Sequence, residues 1–184
     1  MESTGKGRQG GKTSEIVYVA LGSNRGDREK AFIGALEAFA ADPDLRLLCA
    51  SRVFETPAVG PAGQGAYLNA VVELRVALEP VDLLERLHRI ECVMGRDRSQ
   101  ETVRWGPRSL DLDILFFADR RIESSDLVIP HPRSHERDFV MIPMAEIAPE
   151  FPHPVLDQTM AGIARSMTES LRPYIWSSPE RWPS

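Results

Sequence analysis

Cysteine is scarce in this sequence, and so are long apolar runs. The only cysteines, Cys49 and Cys92, are too few for a disulfide framework, and both lie in apolar periodic segments. We therefore expect two buried thiols in a protein of the reducing cytoplasm. Residues 1–14 are rich in Gly, Ser, Thr and Lys and contain no apolar stretch typical of a signal peptide or a membrane span. A disordered leader is expected there, and no membrane partner.

Positive charge is also limited, and arginine carries almost all of it. The net charge of −5 argues against sequence-independent binding to nucleic acid, which needs a basic face. Only three of the 22 basic residues are lysines, and arginine is suited to bidentate phosphate contacts. The arginines that gather in the second half of the chain are candidates for such contacts: Arg96, Arg98, Arg104, Arg108, Arg133 and Arg137. Solvated surface charges are expected elsewhere: Arg28, Arg46, Arg75, Arg120, Arg121 and Arg165.

The most informative segment sets two acids inside an apolar run that predicts a strand. Side-chain alternation along a strand places Asp111 and Asp113 on one face, with Cα atoms roughly 6.6 Å apart. That span could hold two oxygen-ligated cations about 3.5–4 Å apart, and hard oxygen ligands favour magnesium. A solvated edge strand is the alternative. We favour a partly buried site because Leu115 and Phe117 are expected to continue the same face with large apolar groups.

The residues immediately before these acids support the same interpretation. Arg104 and Arg108 flank the turn Trp105-Gly106-Pro107. This arrangement supplies cations for phosphate, a ring for stacking and a kinked backbone. Since phosphates and magnesium usually bind together, the segment predicts a site for both.

The order of predicted elements indicates the fold class. Asp27 is expected to cap the first helix and Asp42-Pro43 to end it. The predicted elements, in order, are a strand at Ile16–Leu21, this helix, strands at Leu45–Phe54 and Tyr67–Val76, a helix from Pro80 to Gly95, the acidic strand, a short strand at Leu127–Ile129 and a mainly helical remainder.

This order predicts an α/β (α+β) ferredoxin-like sandwich with a βαββαβ core, in which helices pack on one face of a mainly antiparallel sheet. The domain is expected to cover residues 15–172, followed by a Pro-, Ser- and Trp-rich tail over residues 173–184. The segments 56–66 and 96–108 are rich in Gly, Pro or charge and are predicted to be lid loops.

Several short motifs together resemble a known family. They are Leu-Gly-Ser-Asn at 21–24, Phe-Glu-Thr-Pro at 54–57, Tyr-Leu-Asn-Ala at 67–70, Arg-Ile-Glu at 89–91, Arg-Trp-Gly-Pro-Arg at 104–108 leading to Asp-Leu-Asp at 111–113, and Pro-His-Pro at 130–132 with Glu-Arg-Asp-Phe at 136–139. The block from 104 to 113 is the specific part. Together these segments resemble the 6-hydroxymethyl-7,8-dihydropterin pyrophosphokinases of folate biosynthesis.

The resemblance implies transfer of the pyrophosphoryl group of ATP to the hydroxymethyl group of a reduced pterin, with release of AMP. It implies that Asp111 and Asp113 hold two Mg²⁺ ions and that Arg96 and Arg108 act in catalysis. The implied ATP contacts are His88, Glu91, Arg98, Trp105, Ile114, His131 and Arg137. The implied pterin contacts are Thr56, Pro57, Val59, Tyr67, Asn69, Trp105 and Phe139. A cytoplasmic monomer acting on small molecules is expected.

Two other functions are weighed against this one. A magnesium-dependent phosphohydrolase or nucleotidyltransferase would also use two aspartates and clustered arginines, but it needs no planar pocket such as Tyr67, Asn69 and Phe139 would form. A ferredoxin-like RNA-binding module is disfavoured by the net charge and by the strand patterns. Taken singly, Tyr67 and Phe139 would be ordinary core aromatics, and His131 a packed histidine between two prolines.

Overall fold

The computed structural model describes residues 13–59, 61–100, 106–167, 174–176 and 179–183. The strands in this part of the chain are β1 (Glu15–Ser23), β2 (Leu45–Ala50), β3 (Phe54–Thr56), β4 (Tyr67–Val76), β5 (Asp111–Phe117), β6 (Ile122–Glu123), β7 (Val128–Ile129) and β8 (Tyr174–Ile175). The α-helices are α1 (Arg28–Ala41), α2 (Pro80–Val93), α3 (Asp138–Ile147) and α4 (Met160–Met167).

The main sheet is antiparallel and has the predicted ferredoxin-like arrangement. Strand β1 lies between β5 and β4, and both β2 and β3 pair with the far side of β4. Strand β8 pairs with the outer edge of β3, while β6 and β7 form a separate hairpin. With β2 and β3 counted as one broken strand, the element order is βαββαβ. The predicted fold class is therefore confirmed.

The predicted strand Leu45–Phe54 is wrong in its length, because the chain leaves the ladder after Ala50. Ser51 pairs with Val71 through its own amide, which donates to the Val71 carbonyl over 2.9 Å. Its hydroxyl accepts from the Val71 amide over 3.0 Å. The Ser51 hydroxyl therefore serves as the acceptor that a backbone carbonyl would supply in a regular ladder. Strand pairing resumes at Phe54, in β3.

Helices pack on both faces of the sheet, whereas the sequence predicted one face. Helices α1 and α2 cover the face that carries Val19, Leu21 and Leu112. Helices α3 and α4 cover the face that carries Tyr18, Val71 and other large apolar side chains. The prediction failed because the apolar positions of α3, which demand burial, were assigned to an unplaced helical remainder.

Strand β5 contains a bulge that changes the face of the sheet to which its later side chains point. Tyr18 pairs with Phe116 and Val19 pairs with Ile114, so Leu115 is one residue in excess. An extra residue reverses the alternation of side chains beyond it. Leu115 packs on the α3 face as predicted, but Phe117 packs on the α1 and α2 face. The expectation that Phe117 shares a face with the acids is therefore wrong.

Two further sequence expectations are corrected by burial. Cys92 is exposed and Cys49 only partly buried, rather than both being buried. Position 92 is rotated about 200° from Ile90 at 100° per residue, away from the buried stripe of α2. Arg28 and Arg120 are not free surface charges, because both are partly buried in ion pairs with glutamates.

Within the described ranges, no helix is long and apolar enough to cross a membrane.

The first helix begins at the predicted cap, which gives a stability test. The Asp27 side chain accepts a hydrogen bond from the Lys30 amide over 3.0 Å. Asp27→Ala should lower the free energy of unfolding by about 1 kcal/mol, since that amide loses its acceptor. The melting temperature should fall by about 2–4 °C in thermal unfolding. Asp27→Asn keeps an acceptor oxygen and is the control; an equal loss in both variants would contradict the cap.

Candidate active site

The two aspartates lie at the start of β5 on the face covered by α3. Asp111 is directly opposite Gly22 and Asp113 is opposite Ala20, so both point to the same side of the sheet as predicted. Asp111 accepts hydrogen bonds from Arg96 Nη1 and from Arg108 Nη1, each over 2.5 Å. The two predicted catalytic arginines thus both bind one of the two predicted metal ligands.

A buried glutamate of α2 holds these groups in place. Glu91 is wholly buried, and its Oε1 accepts from the Leu112 amide over 2.8 Å and from Arg96 Nη1 over 2.6 Å. Its Oε2 accepts from Arg98 Nη2. Burial raises the pKa of Glu91, while Arg96 and the Leu112 amide oppose that rise. Glu91 therefore orients both Arg96 and Arg98 from its position on helix α2.

The pair of carboxylates has the chemistry of a cation site. Burial and the neighbouring Asp111 charge raise the pKa of Asp113, against the opposing effect of Arg137 and Arg108. A bound divalent cation would relieve this repulsion, and carboxylate oxygens are ligands that magnesium prefers. In the described part of the chain, no three His, Cys, Asp or Glu side chains gather as a metal cluster.

A cavity of about 400 Å³ opens beside the aspartates. It is lined by Leu84, His88, Arg96, Arg98, Arg108, Asp111, Leu112, Asp113, Ile114, Ser125, Asp126, Leu127, Val128, His131 and Pro132. The predicted ATP contacts His88, Arg98, Ile114 and His131 are thus brought together. The sequence prediction missed Ser125 and Asp126, which lie in the turn between β6 and β7. No periodicity could have shown that this hairpin closes over β5.

His131 lines this cavity as a neutral ring. Burial and the nearby Arg137 charge lower the pKa of His131 to about 4. Its Nδ1 accepts from the Arg133 amide over 3.2 Å, which assigns the hydrogen to Nε2. His131 can therefore donate one hydrogen bond into the cavity without carrying a charge.

A second group of predicted residues lies across the sheet from the acids. Asn69 is opposite Gly22 on the other side of β1, so Asp111, Gly22 and Asn69 form one row across three strands. A Cβ on Gly22 would lie 3.7 Å from the Asp111 Cβ and 3.9 Å from Asn69 Oδ1. Glycine therefore leaves a gap about the size of one methyl group between carboxylate and amide, and β1 places no side chain there.

Asn69 is fixed by a neighbour that was also predicted. Its Nδ2 donates to Thr56 Oγ1 over 2.9 Å, and both residues are buried. The Tyr67 hydroxyl donates to the Gly106 carbonyl over 3.2 Å, which ties the same strand to the Arg108 loop. Thr56 at the end of β3 and Tyr67 and Asn69 at the start of β4 thus lie side by side on paired strands.

The remaining predicted pterin contacts are less closely grouped. Phe139 lies in the first turn of α3, partly buried on the face that carries Asn69, with Arg137 over its ring at 5.7 Å. Pro57 lines a second cavity of about 470 Å³ within the 56–66 segment. The Val59 side chain is 70% exposed. Arg104 and Trp105 lie outside the described residues.

Asn24 is a contact residue that the sequence prediction did not single out. Its Nδ2 donates to Gln64 Oε1 over 3.0 Å and to the Gly65 carbonyl over 3.3 Å. Its Oδ1 accepts from the Arg108 amide over 2.8 Å. Asn24 therefore joins the two predicted lid loops; its place in the Leu-Gly-Ser-Asn motif was the available signal.

Comparison with known proteins identifies the family of this chain. Residues 18–149 match the family model described as 7,8-dihydro-6-hydroxymethylpterin-pyrophosphokinase. A Bacillus subtilis 2-amino-4-hydroxy-6-hydroxymethyldihydropteridine pyrophosphokinase is 44% identical over 134 residues, which are 73% of this chain and 78% of that protein. The enzyme of the same name from Pseudomonas aeruginosa is 42% identical over 134 residues, 73% of this chain and 81% of its own.

Solved structures show the same fold at low sequence identity. The wild-type HPPK-DHPS of Plasmodium falciparum has a TM-score of 0.67 and 14% identity, and the match covers 88% of this chain. This chain spans 46% of that longer one. The resemblance found in the sequence motifs is confirmed, and the chain belongs to the 7,8-dihydro-6-hydroxymethylpterin-pyrophosphokinase family.

Proposed function

We propose that this chain catalyses its family's reaction on the sheet face formed by Asp111, Gly22 and Asn69. The reaction is the transfer of the pyrophosphoryl group of ATP to the hydroxymethyl group of 6-hydroxymethyl-7,8-dihydropterin, and it belongs to folate biosynthesis. The chain is an ATP-dependent transferase.

The row across β5, β1 and β4 is the observation that carries this assignment. An acidic, arginine-bound end lies on one side of Gly22 and an amide-bearing end on the other, and Gly22 places no side chain between them. The triphosphate belongs at the arginine end, and the pterin belongs at the Asn69 end. Holding both reacting groups on one rigid sheet supplies the positioning on which phosphoryl transfer depends.

Asp111 and Asp113 hold the magnesium, and we assign two ions to this pair. When bound, magnesium would neutralise the negative charge that develops on the phosphates during transfer. Arg96, Arg98 and Arg108 add fixed positive charge from the protein. Glu91 and Asp111 orient Arg96, so this guanidinium need not reorganise when charge develops during the reaction. His131, which lines the same cavity, adds a neutral donor.

We assign recognition of the pterin to the Asn69 amide and to the aromatic rings of Tyr67 and Phe139. The bond from Asn69 Nδ2 to Thr56 fixes the orientation of the amide, so that Oδ1 faces the space above Gly22. A paired donor and acceptor suit the pyrimidine part of a pterin. We assign Tyr67 and Phe139 to stacking on its two faces. Since one chain supplies all of these groups, we assign the activity to a monomer. We also assign it to the cytoplasm.

Product analysis tests the proposed function directly. Phosphorus NMR of the protein with ATP, magnesium and the hydroxymethyl dihydropterin should show AMP and a pterin diphosphate in equal amounts. The control reaction omits the pterin and should give almost no AMP. Steady AMP or ADP formation in that control would overturn the proposal in favour of a phosphohydrolase.

The stacking role of Phe139 can be separated from a packing role. Phe139→Ala should weaken pterin binding roughly 5- to 150-fold, since loss of one stacking face costs about 1–3 kcal/mol by analogy with base stacking. ATP affinity should stay the same. Calorimetric titration of each ligand measures both effects. Phe139→Leu keeps most of the apolar volume without the ring; normal pterin binding in this control would show that Phe139 only packs.

A further inference from the structure

Residues near the C-terminus of the chain form part of the sheet that carries the pterin pocket. Strand β8 pairs with β3, so that Ile175 is opposite Phe54 and Tyr174 is opposite Glu55. The next backbone amide, of Trp176, donates to the Val53 carbonyl over 2.9 Å. These residues lie beyond position 149, where the family match ends, and they border the strand that leads into the 56–66 loop.

A second contact anchors this segment in the core. Trp182 is 8% exposed, and its ring centroid lies 5.5 Å from that of Phe32 in α1. Its indole nitrogen donates to the Ser51 carbonyl over 2.8 Å, at the break between β2 and β3. The C-terminal residues are thus hydrogen-bonded to Ser51, at the break after β2, and to Val53, immediately before β3.

Trp176 extends from this anchored segment onto α1. Its indole nitrogen donates to Glu29 Oε1 over 2.6 Å. The guanidinium carbon of Arg28 lies 5.0 Å from the centre of its ring, within the range of a cation–π contact. Trp176 therefore limits where the Arg28 head can lie.

Arg28 in turn joins the two stems of the 56–66 loop. Its Nη1 donates to Glu55 Oε1 over 2.8 Å and to the Ala66 carbonyl over 2.8 Å. Glu55 immediately precedes the loop, and Ala66 is its last residue. The Arg28 and Glu55 side chains are 23% and 28% exposed, so the bridge is partly shielded from water. The residue next to Glu55 is Thr56, whose hydroxyl holds Asn69.

We propose that Trp176 is a positioning residue for the pterin site, acting through the Arg28 guanidinium that joins the two stems of the 56–66 loop. This inference rests on the proposed function, because it assigns the loop to pterin rather than to ATP. The ATP cavity is lined by other elements, so the nucleotide should not sense the change. The C-terminal segment thereby becomes a determinant of affinity for one of the two substrates.

Steady-state kinetics of the full chain test this assignment. Trp176→Ala should raise the KM for the pterin roughly 2- to 30-fold, the range expected for loss of a cation–π contact, and leave the KM for ATP within about twofold. Arg28→Ala should raise the same KM. Since Trp176 acts through Arg28, adding Trp176→Ala to Arg28→Ala should cause no further rise. Trp176→Phe keeps an aromatic face and should restore much of the loss.

Matched variants separate positioning from general destabilisation. Arg181→Ala removes an exposed ion pair with Glu37 from the same segment and should leave both KM values unchanged. An unchanged pterin KM in Trp176→Ala, or an equal rise for both substrates, would overturn the proposal. If Trp176→Ala fails to fold, Arg28→Lys replaces it as the test variant, because lysine keeps the charge but loses the planar head.

Hydrogen exchange gives a readout that does not depend on the substrate. In the free protein, amides of the 56–66 loop should exchange faster in Trp176→Ala than in wild type, while those of α2 should not change. Unchanged loop exchange would overturn the proposal even if the protein makes pterin diphosphate. Faster loop exchange in a protein that makes none would count against the proposed function alone.

Discussion

Replacing Asp111 or Asp113 by alanine should reduce turnover on the order of 10²-fold or more, about 2.7 kcal/mol of transition-state stabilisation. Each variant loses one of the two carboxylates to which we assign magnesium, on the strand face where both acids lie. Asp111→Ala also releases Arg96 and Arg108 from their shared acceptor. Initial rates at saturating magnesium, ATP and pterin measure the loss.

The fold should survive both substitutions, because Arg96 keeps its bond to Glu91 in the absence of Asp111. Circular dichroism and melting temperature check this. Asp119→Ala removes an exposed acid in the turn immediately after the same strand and should leave the rate unchanged. Near-normal rates in both site variants would mean that Asp111 and Asp113 do not hold the metal.

Glu91→Ala should lower the free energy of unfolding by about 3–5 kcal/mol, the cost of removing one partner of a buried ion pair. The substitution removes one acceptor of the buried Arg96 and the acceptor of the Leu112 amide. The melting temperature should fall by about 6–20 °C for a domain of this size. Thermal unfolding at neutral pH measures the change.

A glutamate on the same helix provides the matched control. Glu85 pairs with Arg89 one turn away, and both side chains are more than half exposed, at 62% and 68%. Glu85→Ala should therefore change the free energy of unfolding by only about 0–1 kcal/mol. Glu91→Gln keeps an acceptor for the Leu112 amide and should lie between the two. Equal small losses for Glu91→Ala and Glu85→Ala would show that the buried network is not needed for stability.

The sequence predicted the parts of the site that follow from strict alternation and from motif spacing. Asp111 and Asp113 share a face because the strand is regular between them. Asn69 and Thr56 were both named by the motif resemblance, and they meet because β3, which extends to Thr56, pairs with β4. These relations depend on local geometry and on the fold class, and both can be recognised from residue patterns.

Other features depend on contacts between distant segments. Ser125 and Asp126 reach the cavity because a two-strand hairpin lies beside β5, and Asn24 joins two loops that are far apart in sequence. Arg28 was expected to be a surface charge because its neighbours in sequence are polar; its partners are Glu55, Ala66 and Trp176. Pairings of this kind are set by tertiary packing, which no single segment encodes.

Deleting Leu115 would leave a regular ladder between β5 and β1 without turning any other side chain. Ile114 would stay opposite Val19, and Phe116 and Phe117 would stay opposite Tyr18 and Val17. The acids would likewise stay opposite Gly22 and Ala20, so the deletion would remove only one buried side chain from the core beneath α3 and α4. The bulge therefore gives the strand one residue more than its partner requires, and a one-residue deletion at Leu115 should cost packing while keeping both carboxylates on their own face of the sheet.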